Sequence, residues 1–141
     1  IYFDTVCCVA PIGIFLGRIS NFINGELYGT PTEKPWGIVF PKIDNLARHP
    51  SQIYEALLEG IVLFIILNFL VIKKNTSHGL ISSLFLILYG TFRIISEQFR
   101  QPDEHMGYIF EYFSMGSLLS IVMIIFGLLL FSKIIFHEQS R

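Results

Sequence analysis

Four apolar runs, each close to the roughly 20 residues that carry a helix across the hydrocarbon core of a bilayer, constrain this chain more than any other feature. They cover about Ile1–Phe22, Ile53–Ile72, Leu80–Phe99 and Met115–Phe131. Lipid offers no hydrogen bonds to the backbone, so a run of this kind satisfies its own N–H and C=O groups by coiling into a helix. The expected fold is therefore an all-α integral membrane protein with about four transmembrane helices. Bulk composition agrees: 52% of the residues are apolar, 14 are Phe and only 15% are charged, giving a mean hydropathy of +0.60. A net charge of -1 gives no sign of a nucleic-acid partner. Cys7 and Cys8 are adjacent and cannot close an unstrained disulfide with each other, so they are expected to pack as small apolar groups.

The second and fourth runs are regular. The first carries Asp4, Pro11, Gly13, Gly17 and Arg18 and is the least so; the third turns polar in its second half. The chain opens at Ile1 inside an apolar run, with no basic leader or small-residue cleavage site, and the expectation is that further sequence lies upstream. Residues 24–51 form a loop broken by Pro31, Pro35, Pro41 and Pro50, and a loop of this length usually carries function. Trp36 and Tyr28 are candidate anchors at the membrane interface. Lys73, Lys74, Lys133 and Arg141 follow the second and fourth runs, which places those ends in the cytoplasm and the 24–51 loop on the periplasmic side. Lys34, Lys42 and Arg48 in the loop work against that bias.

Polar groups at membrane depth cost about 2.5–3.5 kcal/mol each on insertion scales, so their clustering marks a site. The run from Gly17 to Gly29 holds an arginine, two asparagines, a glutamate and three glycines at the end of the first apolar segment. Tyr89, Arg93, Glu97 and Arg100 follow one another at spacings of 4, 4 and 3 and share one stripe of the third helix. One reading makes Arg93 and Glu97 a self-neutralising i, i+4 pair, which leaves Arg18 and Arg100 without a role. The other has the guanidiniums converge on a phosphate, which their planar fork binds bidentately; a phospholipid head group is the anion at hand. Ser51 reads equally as an N-cap, with Glu55 in the first turn, and as a ligand contact. His49, His78, His105 and His137 show no metal-ligand spacing. Asp103-Glu104-His105 reads as a solvated turn. No glycine-rich phosphate loop or nucleophile elbow is present.

Taken in order, Gly17-Arg18-Ile19, Asn21-Phe22-Ile23-Asn24-Gly25-Glu26-Leu27, Gly29, Pro35-Trp36-Gly37, Arg48-His49-Pro50-Ser51-Gln52, Tyr54-Glu55, Arg93, Glu97, Phe99-Arg100-Gln101-Pro102-Asp103, Met115-Gly116 and Leu119-Ser120 resemble the prolipoprotein diacylglyceryl transferase family. The resemblance implies a multi-pass enzyme of the bacterial inner membrane with seven helices, of which residues 1–141 would be the C-terminal portion. It also implies an active site toward the periplasm. The reaction it implies moves the diacylglyceryl group of phosphatidylglycerol to the lipobox cysteine of a prolipoprotein signal peptide, with glycerol phosphate leaving.

Carried over by motif, Arg18, Arg93, Glu26 and Glu97 would be catalytic, with Arg18 on the phosphate of phosphatidylglycerol. Asn21, Asn24, Gly29, His49, Ser51, Tyr89 and Arg100 would bind substrate, and Glu26 and Glu97 would orient the arginines. No cofactor or metal is implied, because the lipid brings its own leaving group. Ser20 stands where the family has glycine, and the family's N-terminal half, with its histidine motif, is not in this sequence. The thiol, with a pKa near 8.5, needs a base, and two sources stand side by side: that histidine region or a local carboxylate. Two rival readings are a non-catalytic remnant of such an enzyme that only binds lipid, and a fragment of an anion transporter.

Overall fold

The computed structural model describes residues 2–73, 76–101, 108–109 and 113–140. Lys74, Arg141, Pro102 and the Asp103-Glu104-His105 segment lie outside the described residues. Four helices have the length and apolarity to cross a membrane: α1 (Tyr2–Asn24), α2 (Ser51–Lys73), α3 (Leu80–Glu97) and α4 (Met115–Gln139). The chain is a multi-pass membrane protein. Each helix starts within two residues of the expected position, and α4 continues past Phe131 to Gln139. Pro11 sits buried inside α1 without ending it. It forfeits one backbone hydrogen bond, a loss that spanning helices tolerate when neighbouring turns and helices support them.

The helices run alternately up and down. At one end Asp4 of α1 reaches the start of α3, where its carboxylate accepts from the Gly79 N–H at 2.8 Å and the Ser82 N–H at 2.9 Å. Those amides belong to the first turn, which has no partner within its own helix. Midway, Leu63, Leu67 and Ile81 form the buried core, ringed by Cys7, Cys8, Leu84, Phe85 and Leu88. Both cysteines are free and pack, as expected. Asn68 ties α2 to α1 by donating to the Cys8 carbonyl at 3.2 Å.

Small residues set the helix spacings. A methyl group at Gly90 would lie 2.8 Å from the Ser120 carbonyl oxygen, and one at Gly127 would lie 3.0 Å from that of Ser83, so α3 and α4 meet backbone to backbone. Gly60 does the same for α2 against α1, where a Cβ would lie 2.7 Å from that of Phe15. Gly60 belongs to a π-helical section of α2, Ala56–Val62, which widens the coil in mid-span. Val9 and Leu16 on α1 and Leu119 and Leu129 on α4 point outward. Apolar outer faces are what a helix presents to lipid.

At the opposite end from Asp4, α1 finishes in a Schellman turn, with the Glu26 N–H on the Asn21 carbonyl at 2.9 Å and Gly25 at φ 69°. Glycine takes that left-handed conformation without a Cβ clash. The loop that follows is not irregular throughout, and this departs from a purely helical expectation. Strands β1 (Ile38–Val39) and β2 (Ala47–Arg48) pair antiparallel with Ile38 opposite Arg48, and Phe40 beside them packs edge-on to Phe22 at 6.0 Å. A second ribbon, β3 (Tyr108–Ile109) with β4 (Phe113–Ser114), leads into α4. Ser114 caps that helix by accepting the Ser117 N–H at 3.2 Å.

Candidate functional site

Three helices bring five charged side chains together near the loop end of the bundle. Arg18 comes from the last two turns of α1, Glu55 and Glu59 from the first turns of α2, and Arg93 and Glu97 from the end of α3. Glu55 is at the centre and fully enclosed. Its Oε1 accepts from the Arg93 guanidinium at 2.8 Å, and its Oε2 lies 2.9 Å from Arg18 Nε. The second contact is a close ion pair without an aligned N–H, because Glu55 Oε2 has no hydrogen-bond donor among the described residues. Arg93 also lies 3.0 Å from Glu97. Glu59, one turn deeper, is 3.8 Å from Arg18 and 3.9 Å from Arg93 and is wholly buried.

Convergence of Arg18 and Arg93 was legible in their sequence setting. The partner was not. Arg93 and Glu97 do form the i, i+4 pair, yet Arg93 is shared with Glu55, so self-neutralisation does not describe it. Glu26, expected to orient an arginine, is exposed and makes no ion pair among the described residues; only its backbone is engaged, its N–H by the Asn21 carbonyl and its carbonyl by Gln52. Glu55 and Glu59 take the orienting place instead. The signal that finds them is their stripe: Gln52, Glu55 and Glu59 fall at i, i+3 and i+7 on an otherwise apolar helix, and all three are fully buried. Glu97 lies against Arg93, and a methyl group at Gly116 would come within 3.0 Å of its carboxylate. The first turn of α4 therefore packs directly against Glu97.

Ser51 is not an N-cap. Pro50 holds that position with no side-chain hydrogen bond, and Ser51 Oγ instead donates to the Leu27 carbonyl at 3.2 Å. Gln52 Nε2 donates to the Glu26 carbonyl at 2.7 Å and Arg48 to that of Gly29 at 3.1 Å. The segment Arg48–Gln52 thus holds the signature loop by three of its carbonyls. Gly29 is buried where a side chain could not go: a Cβ would collide with the His49 carbonyl oxygen and lie 2.7 Å from that of Phe99. Its backbone pairs with Arg100 across this junction.

The remaining expected residues are less central. Asn21 shares the Arg18 face of α1, one turn on. Asn24 ends α1 beside a 120 Å³ hollow with Phe40 and Lys42. Tyr89 stacks on Phe85 at 5.6 Å, within electrostatic reach of Glu59 and Arg93. His49 accepts or donates at 3.1 Å with the Tyr54 hydroxyl, which also receives the Trp36 indole N–H at 2.8 Å. These aromatics line a 420 Å³ groove with Leu57, Ile95 and Phe99, separate from the arginines. Trp36 is thus held by Tyr54, and Tyr28 lies under Arg48 at 4.9 Å. No cluster of metal ligands occurs among the described residues.

The family model for prolipoprotein diacylglyceryl transferase matches residues 1–133. The chain belongs to that family. Among relatives named phosphatidylglycerol--prolipoprotein diacylglyceryl transferase, the protein of Desulfotalea psychrophila is 57% identical over 98% of this chain and 52% of its own length. That of Rickettsia bellii is 52% identical over 92% of this chain and 50% of its own. A Wolbachia relative, from the strain of Brugia malayi, is 48% identical over 91% and 50%. The chain spans about half the length of the curated relatives it matches. Within the prolipoprotein diacylglyceryl transferase family, then, this half holds the paired arginines and the loop clamped beside them.

Proposed function

We propose that residues 1–141 are the C-terminal portion of a phosphatidylglycerol–prolipoprotein diacylglyceryl transferase of the bacterial inner membrane. The observation that carries this reading is the convergence of Arg18 and Arg93 on one anion, Glu55. A site that gathers two guanidiniums around a carboxylate at one end of a membrane bundle is shaped for a lipid phosphate. Arg18, whose contact with Glu55 is unaligned, is the more readily redirected of the two.

In the reaction the thiolate of the lipobox cysteine attacks the glyceryl carbon of phosphatidylglycerol. A carbon–sulfur bond forms, the carbon–oxygen bond to phosphate breaks, and the electron pair leaves with glycerol phosphate. Charge grows on the phosphate oxygens, and Arg18 and Arg93 stabilise it there. Such a preorganised donor in a dry site contributes about 3–4 kcal/mol. Asn21 adds a hydrogen bond on the Arg18 side, Glu55 and Glu97 set the arginine positions, and Gly29 lets the loop seat closely on His49 and Phe99. The loop end of the bundle faces the periplasm, where exported prolipoproteins present their cysteine.

The test is Arg18→Lys in the full-length enzyme. Charge is kept and the bidentate fork is lost. Transfer of labelled diacylglyceryl to a prolipoprotein peptide is expected to fall at least 100-fold, on the order of one lost oxyanion donor. Near-normal transfer overturns the phosphate-clamp reading.

A further inference from the structure

Gln52 is the one uncharged member of the buried stripe on α2, and its amide is only half used. Nε2 donates to the Glu26 carbonyl at 2.7 Å. A carbonyl can only accept, so this contact fixes the orientation of the amide and leaves Oε1 as the free end. Oε1 is enclosed, on a side chain with no exposed surface, and has no donor among the described residues. Folded proteins seldom leave a buried acceptor empty, and one that stands beside a ligand site is placed to receive a donor from the ligand.

Its neighbours identify that ligand. Gln52 precedes Glu55 by three residues on the same face, about 4.5 Å along the helix axis. Glu55 holds both guanidiniums. A phosphate held on Arg18 and Arg93 would therefore have Gln52 about one turn of α2 away, on the side of the clamped loop. An amide oxygen there asks for a neutral O–H or N–H donor, and the head group of phosphatidylglycerol is a glycerol with free hydroxyls. We propose that Gln52 is a specificity-determining residue, whose Oε1 accepts a hydrogen bond from a head-group hydroxyl of the lipid held on Arg18 and Arg93. This rests on the phosphate-clamp reading above. It adds the means by which a hydroxylated head group is preferred.

The experiment compares phosphatidylglycerol with phosphatidylpropanol, which has the same three-carbon head group without hydroxyls and an equivalent phosphate leaving group. With the full-length enzyme in vesicles, kcat/KM is expected to fall about 5- to 150-fold for phosphatidylpropanol, the range for a buried acceptor left unpaired. Gln52→Met, which keeps length but has no acceptor oxygen, is expected to erase the difference between the two lipids. Gln52→Glu keeps an acceptor and is expected to keep the preference although it loses the tether to Glu26. A purely structural Gln52 would slow both lipids alike in the Met variant and leave their ratio unchanged, which overturns the proposal. Equal rates for both lipids with the unaltered enzyme overturn it also, while leaving the phosphate clamp intact. No transfer from either lipid removes the clamp and this role together.

Discussion

Asp4 and Ser82 are joined twice through one oxygen: Asp4 Oδ1 accepts from the Ser82 backbone N–H at 2.9 Å and from its hydroxyl at 2.7 Å. A carboxylate from one spanning helix thus serves as the cap of another. Asp4→Ala leaves the first-turn amides of α3 without that acceptor, and a loss of about 1–3 kcal/mol is expected. Thermal unfolding in detergent reads it. Asp4→Asn, which keeps one acceptor, is expected to lose less.

At the centre of the site, Glu55→Gln preserves shape and removes the charge that Arg18 and Arg93 share. Breaking a buried ion pair by removing one partner costs about 3–5 kcal/mol. The variant is expected to be less stable than Glu26→Gln by that amount, since Glu26 is exposed and makes no ion pair among the described residues. Denaturation of the two variants side by side decides this, and equal stability would remove Glu55 from the centre of the charge network.

Helix spacing is the next point of test. Gly60→Ala puts a Cβ 2.7 Å from that of Phe15 and drives α1 from α2. Overpacking of this kind costs about 1–3 kcal/mol. It also separates Arg18 from Glu55, so transfer activity is expected to fall further than stability alone accounts for, measured below the melting temperature.

The loop offers a titration. Hydrogen bonding to Arg48 holds the Asp44 carboxyl below its ordinary 3.8. The folded-state value is the lower one, so the pair contributes stability at every pH above the unfolded value and loses it as pH falls through the folded one. Protection of the Leu46–His49 amides, taken relative to their intrinsic exchange at the same pH, is therefore expected to fall below about pH 4. Asp44→Asn is expected to show that lower protection already at neutral pH and no further acid step from this site.

Orientation can be read with single cysteines in a Cys7→Ala, Cys8→Ala background. Position 33 lies in the exposed loop and position 137 on the exposed last turns of α4. In intact cells an impermeant thiol reagent is expected to label the first and spare the second. The reverse pattern would turn the arginines toward the cytoplasm.

What the sequence made legible was governed by long-range averages and by local rules. Four spans follow from hydropathy, while α1 runs two residues beyond the expected Phe22 to the left-handed turn at Gly25. Arg18 and Arg93 stand out because charge in an apolar run is costly. Contacts between helices were less legible. Glu55 and Glu59 lie in the first turns of a span, where carboxylates are common for local reasons, and only the crossing of α1 and α3 turns them inward. Ser51 sits where a cap belongs, yet Pro50 before it fills that place and frees the hydroxyl for Leu27. Gly29 reads as a substrate contact, and the approach of His49 and Phe99 adds a backbone reason for glycine there.

The π-helical section of α2 makes the winding of the helix itself a chemical variable. Between Ala56 and Val62 the coil takes a wider turn, above a core fixed by Leu63 and Leu67 and below the stripe of Gln52 and Glu55. Were these same residues wound as an ordinary α-helix, everything upstream would rotate by about 100° relative to that core. The carboxylate would then face the membrane and both guanidiniums would lose their shared counterion. Loops elsewhere can gain or lose a residue through drift. This one turn behaves like the phase of a gear, and its wide winding keeps the stripe of Gln52 and Glu55 facing the arginines.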